Sequence, residues 1–204
     1  MKTKLYSIAA LVILIACAGC RNPWMEKILD PFFKEGEVKF EYNIGDIGPG
    51  GGRIFYHDPG GFTVQAGPSG EWSAYTAHYL EAAPADLGSL EWQTGIAMDI
   101  PGTETALGAG RRNTALILSP SGITAPAAQA CRDYSGGGQT DWFLPSAAEL
   151  AELRSLIRTG VYWTSVQIGT VTPFDQAFYI YMIDGNSGTT QKSNSHSVYP
   201  IRAF

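Results

Sequence analysis

The sequence predicts an α+β domain in which a few helices pack against a β-sheet. The 204-residue chain contains 24 glycines and 12 prolines, and only 16% of its residues are charged. This composition indicates many turns and a loop-rich body built mostly from strands. A strongly patterned helix near residue 146 is followed by four strand-like runs. The apolar stripe of this helix requires a sheet to pack on, because an amphipathic helix is stabilised when that face is buried.

A capping box marks the start of this central helix. Pro145 disfavours helical geometry at the residue before it, so residues 142–144 (Trp-Phe-Leu) are predicted as a short strand. Ser146 and Glu149 have the spacing at which each side chain bonds the backbone N–H of the other. Apolar residues then recur at helical spacing, and with Trp142 and Leu144 they are expected in the core: Leu150, Leu153 and Ile157.

Two further helices and a series of strands are predicted elsewhere. The helices cover residues 111–118 and 126–134, and the second begins at a proline, which the first turn of a helix favours. The run Asp184-Gly-Asn-Ser-Gly188 predicts a hairpin turn between two strands. Strands are predicted at alternating or β-rich runs bounded by turn signals: residues 38–42, 54–57, 78–84, 91–92, 162–165, 177–182, 189–192 and 198–204.

The glycine-rich segment at residues 44–53 is predicted as a hairpin and not as a phosphate-binding loop. It lacks a Gly-Lys-Ser/Thr ending, and a strand instead of a helix follows it. Residues 50–52, all glycine, would supply positive φ angles and let two backbones approach closely. The next stretch, residues 59–75, is predicted as a loop with turns at Gly60-Gly61 and Pro68-Ser69-Gly70.

The charge balance argues against nucleic acid as a partner. The formal charge is −5, and loss of Lys2 and Lys4 with an N-terminal leader would lower it by two. Arg111-Arg112 is the only adjacent pair of basic residues. Because neutralising phosphates requires a basic face, we do not expect nucleic acid binding.

The N-terminus has the pattern of an export signal. Lys2 and Lys4 precede an apolar run at residues 8–16, which is shorter than the ~20 residues that a spanning helix needs. The following Leu14-Ile-Ala-Cys-Ala-Gly-Cys20 resembles the lipobox of bacterial lipoproteins, in which a diacylated cysteine becomes the mature N-terminus. Residues 1–20 are therefore predicted as a lipoprotein signal peptide, whose acyl chains would hold the protein on a membrane.

Two cysteines compete for the lipid. Cys17 has the preferred leucine three residues before it, whereas Cys20 follows the usual small pair, Ala18-Gly19. We favour Cys20 because a polar segment beginning at Arg21 follows it directly. The alternative is a plain secretory signal cleaved nearby, or cysteines that are incidental to the apolar run.

Five motifs in the chain carry a family resemblance. They occur in this order: Ile47-Gly-Pro-Gly-Gly-Gly-Arg-Ile-Phe-Tyr56, Tyr79-Leu-Glu-Ala-Ala-Pro-Ala-Asp86, Asp141-Trp-Phe-Leu-Pro-Ser-Ala-Ala-Glu-Leu150, Tyr162-Trp-Thr-Ser165 and Pro200-Ile-Arg-Ala-Phe204. Together they resemble a bacterial domain of unknown function found in repeated surface lipoproteins, a family that includes the C-terminal domain of a collagen-like adhesin. The resemblance covers residues 42–204, so we interpret residues 21–40 as a tether and residues 41–204 as the domain.

The resemblance implies a C-type-lectin-like fold related to that of the formylglycine-generating enzymes. In this fold, two or three helices pack against a twisted, mostly antiparallel sheet, and the N- and C-terminal strands pair. Such pairing agrees with a chain whose last residue, Phe204, belongs to a predicted strand. For function, the resemblance implies surface exposure and ligand binding, with host polysaccharide or matrix as the expected ligand class.

No metal, cofactor or catalytic residue is expected. Calcium-dependent lectins carry a Glu-Pro-Asn or Gln-Pro-Asp run and a Trp-Asn-Asp strand, and neither occurs here. The formylglycine-type enzymes use paired cysteines, whereas the predicted domain has only Cys131, expected as a small core residue on the second helix. His57, His78 and His196 lack metal-ligand spacing, and there is no Gly-x-Ser-x-Gly motif.

The two acidic residues of the third motif are expected to be structural. Glu149 is interpreted as the helix cap and not as a catalytic carboxylate. Asp141 is expected to accept hydrogen bonds from amides of the glycine turn, in preference to binding a metal.

A ligand-binding surface is predicted on the last strands of the domain. Tyr179 and Tyr181 alternate with Phe178, Ile180 and Met182, so one set faces the core and the other faces solvent. The alternative is that the tyrosines cover a second layer of the core. An exposed aromatic strip beside short polar side chains would suit glycans or proteins, and the candidate residues are Tyr179, Tyr181, Asn186, Ser187, Asn194 and His196.

The predicted function is therefore a non-catalytic binding or adhesion module. The lipid would anchor it in the bacterial cell envelope, at the outer membrane or cell surface, and its other partner would be a glycan, a matrix protein or an envelope protein. A sulfated polysaccharide would suit this acidic chain only if Arg111, Arg112 and Arg132 gathered on one face. The alternatives are a structural envelope protein without glycan recognition and a degenerate enzyme of the formylglycine-generating type.

Overall fold

The computed structural model describes residues 42–168 and 175–204. The predicted leader with Cys17 and Cys20, the tether, and all but the last residue of the strand predicted at residues 38–42 lie outside this range. The described residues belong to one unit, Tyr42–Phe204. No helix among them is long and apolar enough to cross a membrane.

Three α-helices and eight strands in the described residues confirm the predicted α+β fold. The helices are α1 (Gly110–Leu118), α2 (Pro126–Asp133) and α3 (Ala147–Leu153). The strands are β1 (Arg53–Val64), β2 (Tyr75–Ala82), β3 (Ser89–Glu91), β4 (Val161–Gln167), β5 (Gln176–Tyr181), β6 (Ser187–Gln191), β7 (Ser195–Ser197) and β8 (Ile201–Ala203). Instead of one sheet, these strands form two.

The first sheet has three antiparallel strands in the order β1-β2-β8. The loop predicted at residues 59–75 was wrong in part, because β1 continues to Val64. The turn residues shift the register with β2 between His57 and Phe62 and do not end the strand. Gly61 has a φ of +77°, a left-handed conformation that glycine adopts readily. These residues therefore form an irregularity inside a long hairpin.

The second sheet is mixed, with five strands in the order β3-β7-β4-β5-β6. The pair β4 and β7 is parallel and the other pairs are antiparallel, and the predicted hairpin at residues 184–188 is confirmed between β5 and β6. The strand predicted at residues 198–204 is present but shorter, because β8 covers only Ile201–Ala203, and the preceding strand β7 lies in a different sheet from β8. Pro200, which has no N–H for a ladder, stands between them at the change of sheet.

The predicted capping box is confirmed at the start of α3. Ser146 Oγ accepts a hydrogen bond from Glu149 N at 3.3 Å, and Glu149 Oε2 accepts one from Ser146 N at 2.7 Å. The strand predicted at residues 142–144 was wrong, since only Phe143 forms a bridge there, with Ile201 of β8. Pro145 O instead accepts a hydrogen bond from Ser165 N, which ties the start of the helix to β4.

The core has two apolar clusters, and strands β4 and β5 contribute to both. The first cluster joins α3 to the three-stranded sheet and includes Leu150 and Ile180. The second joins α1 and α2 to the five-stranded sheet and includes Leu144 and Cys131, which are both fully buried as predicted. Successive residues of a strand point to opposite faces, so the five-stranded sheet is covered on both sides.

The glycine hairpin is confirmed, with one change in its glycines. Ile47 bridges Arg53, and Gly48 N donates to Gly52 O at 2.9 Å. Of the three predicted glycines, only Gly51 has a positive φ, at +77°. Gly52 is required by close approach instead, because a Cβ there would lie 1.8 Å from Ala82 O.

A buried carboxylate in β2 holds this hairpin. Glu81 is fully buried, and its two oxygens accept hydrogen bonds from Gly52 N at 2.8 Å and from Gly50 N at 3.0 Å. Arg202 of β8 donates to the same carboxylate through Nη1 at 3.2 Å. The expectation that Asp141 would bond the glycine amides was therefore wrong. The two oxygens of Asp141 instead accept hydrogen bonds from Arg202, from Nε at 2.8 Å and from Nη2 at 3.1 Å.

Candidate functional site

The six residues predicted as a ligand site lie on the last strands of the five-stranded sheet and in their turns. Tyr179 and Tyr181 are in β5, Ser187 is in β6 and His196 is in β7. Asn186 directly precedes β6 and Asn194 lies between β6 and β7. We refer to Tyr179, Tyr181 and His196 as the aromatic strip.

The structure brings the aromatic strip together and adds a residue that the sequence analysis had not assigned to it. The ring of Tyr179 lies 5.3 Å from that of Tyr181 and 5.0 Å from that of His196, measured between centroids. Trp163 of β4 lies 4.4 Å from His196 and is fully buried beneath it. The sequence alone could not assign Trp163 to the strip, because Trp163 comes next to Tyr179 only through the pairing of β4 with β5.

The two tyrosines have different environments. Tyr179 packs on the second core cluster and lies across Gly188 of β6, where a Cβ would come within 2.5 Å of the tyrosine hydroxyl oxygen. Tyr181 is 41% exposed. The core-covering alternative therefore describes Tyr179 in part, since it is partly buried, whereas Tyr181 is the most exposed member of the strip.

The polar residues contribute unequally to this surface. Asn186 bonds within its own turn, since its Nδ2 donates to Asp184 Oδ2 at 2.7 Å, and Asn194 Nδ2 donates to Thr190 Oγ1. Ser187 pairs directly with Ile180 in the β5–β6 ladder, so its side chain lies on the face opposite the tyrosines. The structure does not bring Ser187 into the strip.

The imidazole of His196 is suited to a neutral contact. Burial lowers the pKa of His196 below its usual value. Its Nε2 is buried and has no hydrogen-bond partner among the described residues. His57 and His78 lie elsewhere, in β1 and β2, and the described residues hold no group of His, Cys, Asp or Glu side chains with metal-binding geometry.

A buried lysine forms a polar network that the sequence analysis did not find. Lys192 is 1% exposed, and its Nζ donates to Met98 O and to Gln167 Oε1, both at 2.6 Å. The Nζ also lies 4.8 Å from the ring centroid of Trp92, as a cation–π pair. A single lysine at the end of a short polar strand gives no sequence signal of burial.

The surroundings of Lys192 shift its protonation. Desolvation lowers its pKa to about 8, although the carboxylates of Asp99 and Asp175 act in the opposite direction. A cavity of about 250 Å³ is lined by Lys192 and by Gln93, whose buried Nε2 has no hydrogen-bond partner among the described residues.

The three arginines considered for an anionic ligand do not all gather. Arg111 and Arg132 line one cavity, which also contains Trp72. Arg112 points away from it, because its Nη1 donates to Gly102 O at 2.8 Å and lies 3.8 Å from Glu104.

Comparisons with known proteins assign no family to this chain. No protein-family model matches it, and no curated protein matches it.

The pKa of Lys192 predicts how stability depends on pH. Because the folded pKa, about 8, lies below the unfolded value, ~10.4, the cost of burying the ammonium is present below pH 8. That cost is relieved as the pH rises from about 8 to 10. Urea unfolding of the wild type and Lys192→Met should show the wild type gaining about 1 kcal/mol relative to the variant between pH 7.5 and 9.5, after allowance for solvent at the adjoining cavity. A difference that does not change with pH would contradict this assignment.

Proposed function

We propose that this protein is a lipid-anchored component of the bacterial cell envelope whose domain is a non-catalytic binding or adhesion module with a C-type-lectin-like fold. The observation that carries the binding role is the aromatic strip, in which exposed Tyr181 continues a surface formed by Tyr179 and His196. The five ordered motifs support the fold assignment. The lipobox-like run ending at Cys20 supports the anchor.

The aromatic strip suits the apolar face of a sugar ring or a flat protein surface. An aromatic side chain offers a large contact area and loses few rotamers on binding. Tyr179 is held by Trp163 and His196, so it provides a fixed platform beside the more accessible ring of Tyr181. Asn186 and Asn194 place amide groups in the adjoining turns, although both also bond within those turns.

The buried carboxylates support a role without covalent chemistry. Glu81 accepts two backbone N–H groups and the Arg202 guanidinium. Glu149 accepts Ser146 N and Gly108 N at 2.7 and 2.9 Å. These bonds use the acidic groups to hold loops and a helix start, as expected of structural residues.

A structural envelope protein without glycan recognition is the second candidate. Large apolar side chains at the surface favour it, because such residues suit protein contacts. Ile96 is 90% exposed and Ile183 is 73% exposed. A degenerate enzyme of the formylglycine-generating type is less favoured, since the Cys131 thiol is fully buried and burial raises its pKa well above the usual value.

The lipid anchor predicts which cysteine is modified. Cells expressing the full chain are grown with an alkyne-tagged fatty acid, and the immunoprecipitated protein is analysed for label. Cys17→Ser should keep the label and Cys20→Ser should lose it, because Cys20 is the proposed acylated residue. Loss with Cys17→Ser alone would reassign the lipid to Cys17, and an unlabelled wild type would overturn the anchor.

The binding role predicts that Tyr181 contributes to affinity. Protein expressed without residues 1–20 is screened against glycans and matrix proteins, with calcium and with a chelator. Saturable binding that does not need calcium is expected, and Tyr181→Ala should weaken it at least about tenfold, ~1.4 kcal/mol, by removing the exposed ring. Tyr181→Phe keeps the ring and should bind nearly as well.

The control for this screen is Ile183→Ala, which truncates a nearby exposed side chain outside the strip. Its binding should equal that of the wild type. Folded wild-type protein that binds nothing on the panel would favour the structural role. Undiminished binding by Tyr181→Ala would remove the aromatic strip from the proposal.

A further inference from the structure

A second surface of the domain has the features of a ligand site and shares no residue with the aromatic strip. A cavity of about 240 Å³ opens between the loop after β1, helices α1 and α2, and the segment before α3. We call it the arginine cavity, and the residues that matter to its chemistry are Glu71, Trp72, Arg111, Arg132, Thr140 and Asp141. Its volume is below the ~300–1,000 Å³ of pockets for drug-sized ligands, so it suits a group about as large as one sugar ring.

The guanidinium of Arg111 is held in place by aromatic rings. Its Cζ lies 4.4 Å from the ring centroid of Trp72 and 5.7 Å from that of Tyr75. Trp72 is itself fixed, because its Nε1 donates to Gln65 O at 2.8 Å. The one hydrogen bond of the Arg111 guanidinium to another described residue is that from Nη1 to Tyr75 Oη, at 3.3 Å. Since a guanidinium carries five N–H donors, most of its donors remain for a ligand.

Arg132 provides a second cation at the same cavity. It lies in the last turn of α2, and its side chain is exposed. Its side chain has no hydrogen bond or ion pair with any described residue. Two guanidinium groups with unused donors therefore line one small space, an arrangement that matches the oxygens of a carboxylate.

The two acidic residues in the lining restrict the anion that the cavity can hold. Asp141 bonds Arg202 through both of its oxygens, but Arg202 also pairs with the buried Glu81, so these three groups together carry one negative charge. Glu71 accepts a hydrogen bond from Ser69 N through Oε2 at 3.0 Å, and its carboxylate lies beside the cavity. The positive charge of the two arginines that line the cavity equals the negative charge of Glu71 and of this three-residue group. The nearby carboxylates would therefore repel a ligand of multiple negative charge, whereas a single carboxylate can be held by the unused guanidinium donors. Glu71 also offers an acceptor for hydroxyl groups, and Thr140 offers a hydroxyl.

We propose that the arginine cavity binds a sugar carrying a single carboxylate, with its carboxylate on Arg111 and Arg132 and its ring hydroxyls near Glu71 and Thr140. The ligand is either a free acidic monosaccharide or the terminal acidic sugar of a polysaccharide. The arginine cavity does not depend on the aromatic strip, so this proposal can be tested independently of the function proposed above.

The test is isothermal titration of the full chain in detergent with glucuronate and with N-acetylneuraminate as probes. At least one probe should bind saturably, and glucose and inorganic sulfate at equal concentrations should not. Arg132→Met should weaken binding at least tenfold without affecting folding, because its side chain is exposed and unpaired with the described residues. Arg111→Met should weaken it by a similar factor.

Arg112→Met is the matched control, since it removes a neighbouring arginine of α1 that bonds Gly102 O and faces away from the cavity. It should bind like the wild type, and so should Tyr181→Ala. The methyl glycoside of the bound sugar distinguishes the two possible ligands. A site for the terminal sugar of a polysaccharide would bind the methyl glycoside, whereas a site for the free monosaccharide alone would not. Binding of neither acidic sugar, equal binding of glucose or sulfate, or equal loss in Arg112→Met and Arg132→Met would overturn the proposal.

Discussion

The buried ion pair between Glu81 and Arg202 is the interaction on which the arrangement of the three-stranded sheet depends. Glu81 has no exposed surface, and Arg202 is 5% exposed. Two backbone amides and a guanidinium donate to one carboxylate, and the same guanidinium reaches Asp141. Removing the carboxylate would leave these donors buried without a hydrogen-bond partner. This loss costs more free energy of unfolding than a contact at the surface contributes. The glycine hairpin, β2, β8 and the segment before α3 are thus joined at one point.

Four of the five sequence motifs meet in this arrangement. The first supplies the glycine amides, the second Glu81, the third Asp141 and the fifth Arg202. Glycine is needed in the first because a Cβ at Gly48 would lie 2.6 Å from Glu81 Cδ and one at Gly50 would lie 2.5 Å from Trp142. Because these residues form a buried ionic network, the motifs indicate how the domain folds and not what it binds. The surfaces proposed for binding lie largely outside these motifs, which is why function had to be argued from exposed tyrosines and arginines.

The features predicted well from sequence are those encoded within a few residues. The capping box needs only Ser146 and Glu149, and the hairpin turn at residues 184–188 is equally local. The bonds to Glu81 join residues 29, 31 and 121 positions apart, and local pattern cannot choose between Glu81 and Asp141 as the acceptor for the glycine amides. Sheet pairing likewise decided that Tyr179 packs partly on the core, that Ser187 lies on the opposite face, and that β7 and β8, although close in sequence, lie in different sheets.

The measurement that tests this account most directly is the free energy of unfolding of Glu81→Gln against Glu152→Gln. Both changes remove one carboxylate charge, but Glu152 lies exposed on α3, whereas Glu81 is buried with three donors. Urea unfolding at neutral pH should show a loss of about 3 kcal/mol for Glu81→Gln and a change within about 0.5 kcal/mol for Glu152→Gln. Equal stabilities for the two variants would contradict the view that the Glu81–Arg202 pair holds the glycine hairpin to the sheet.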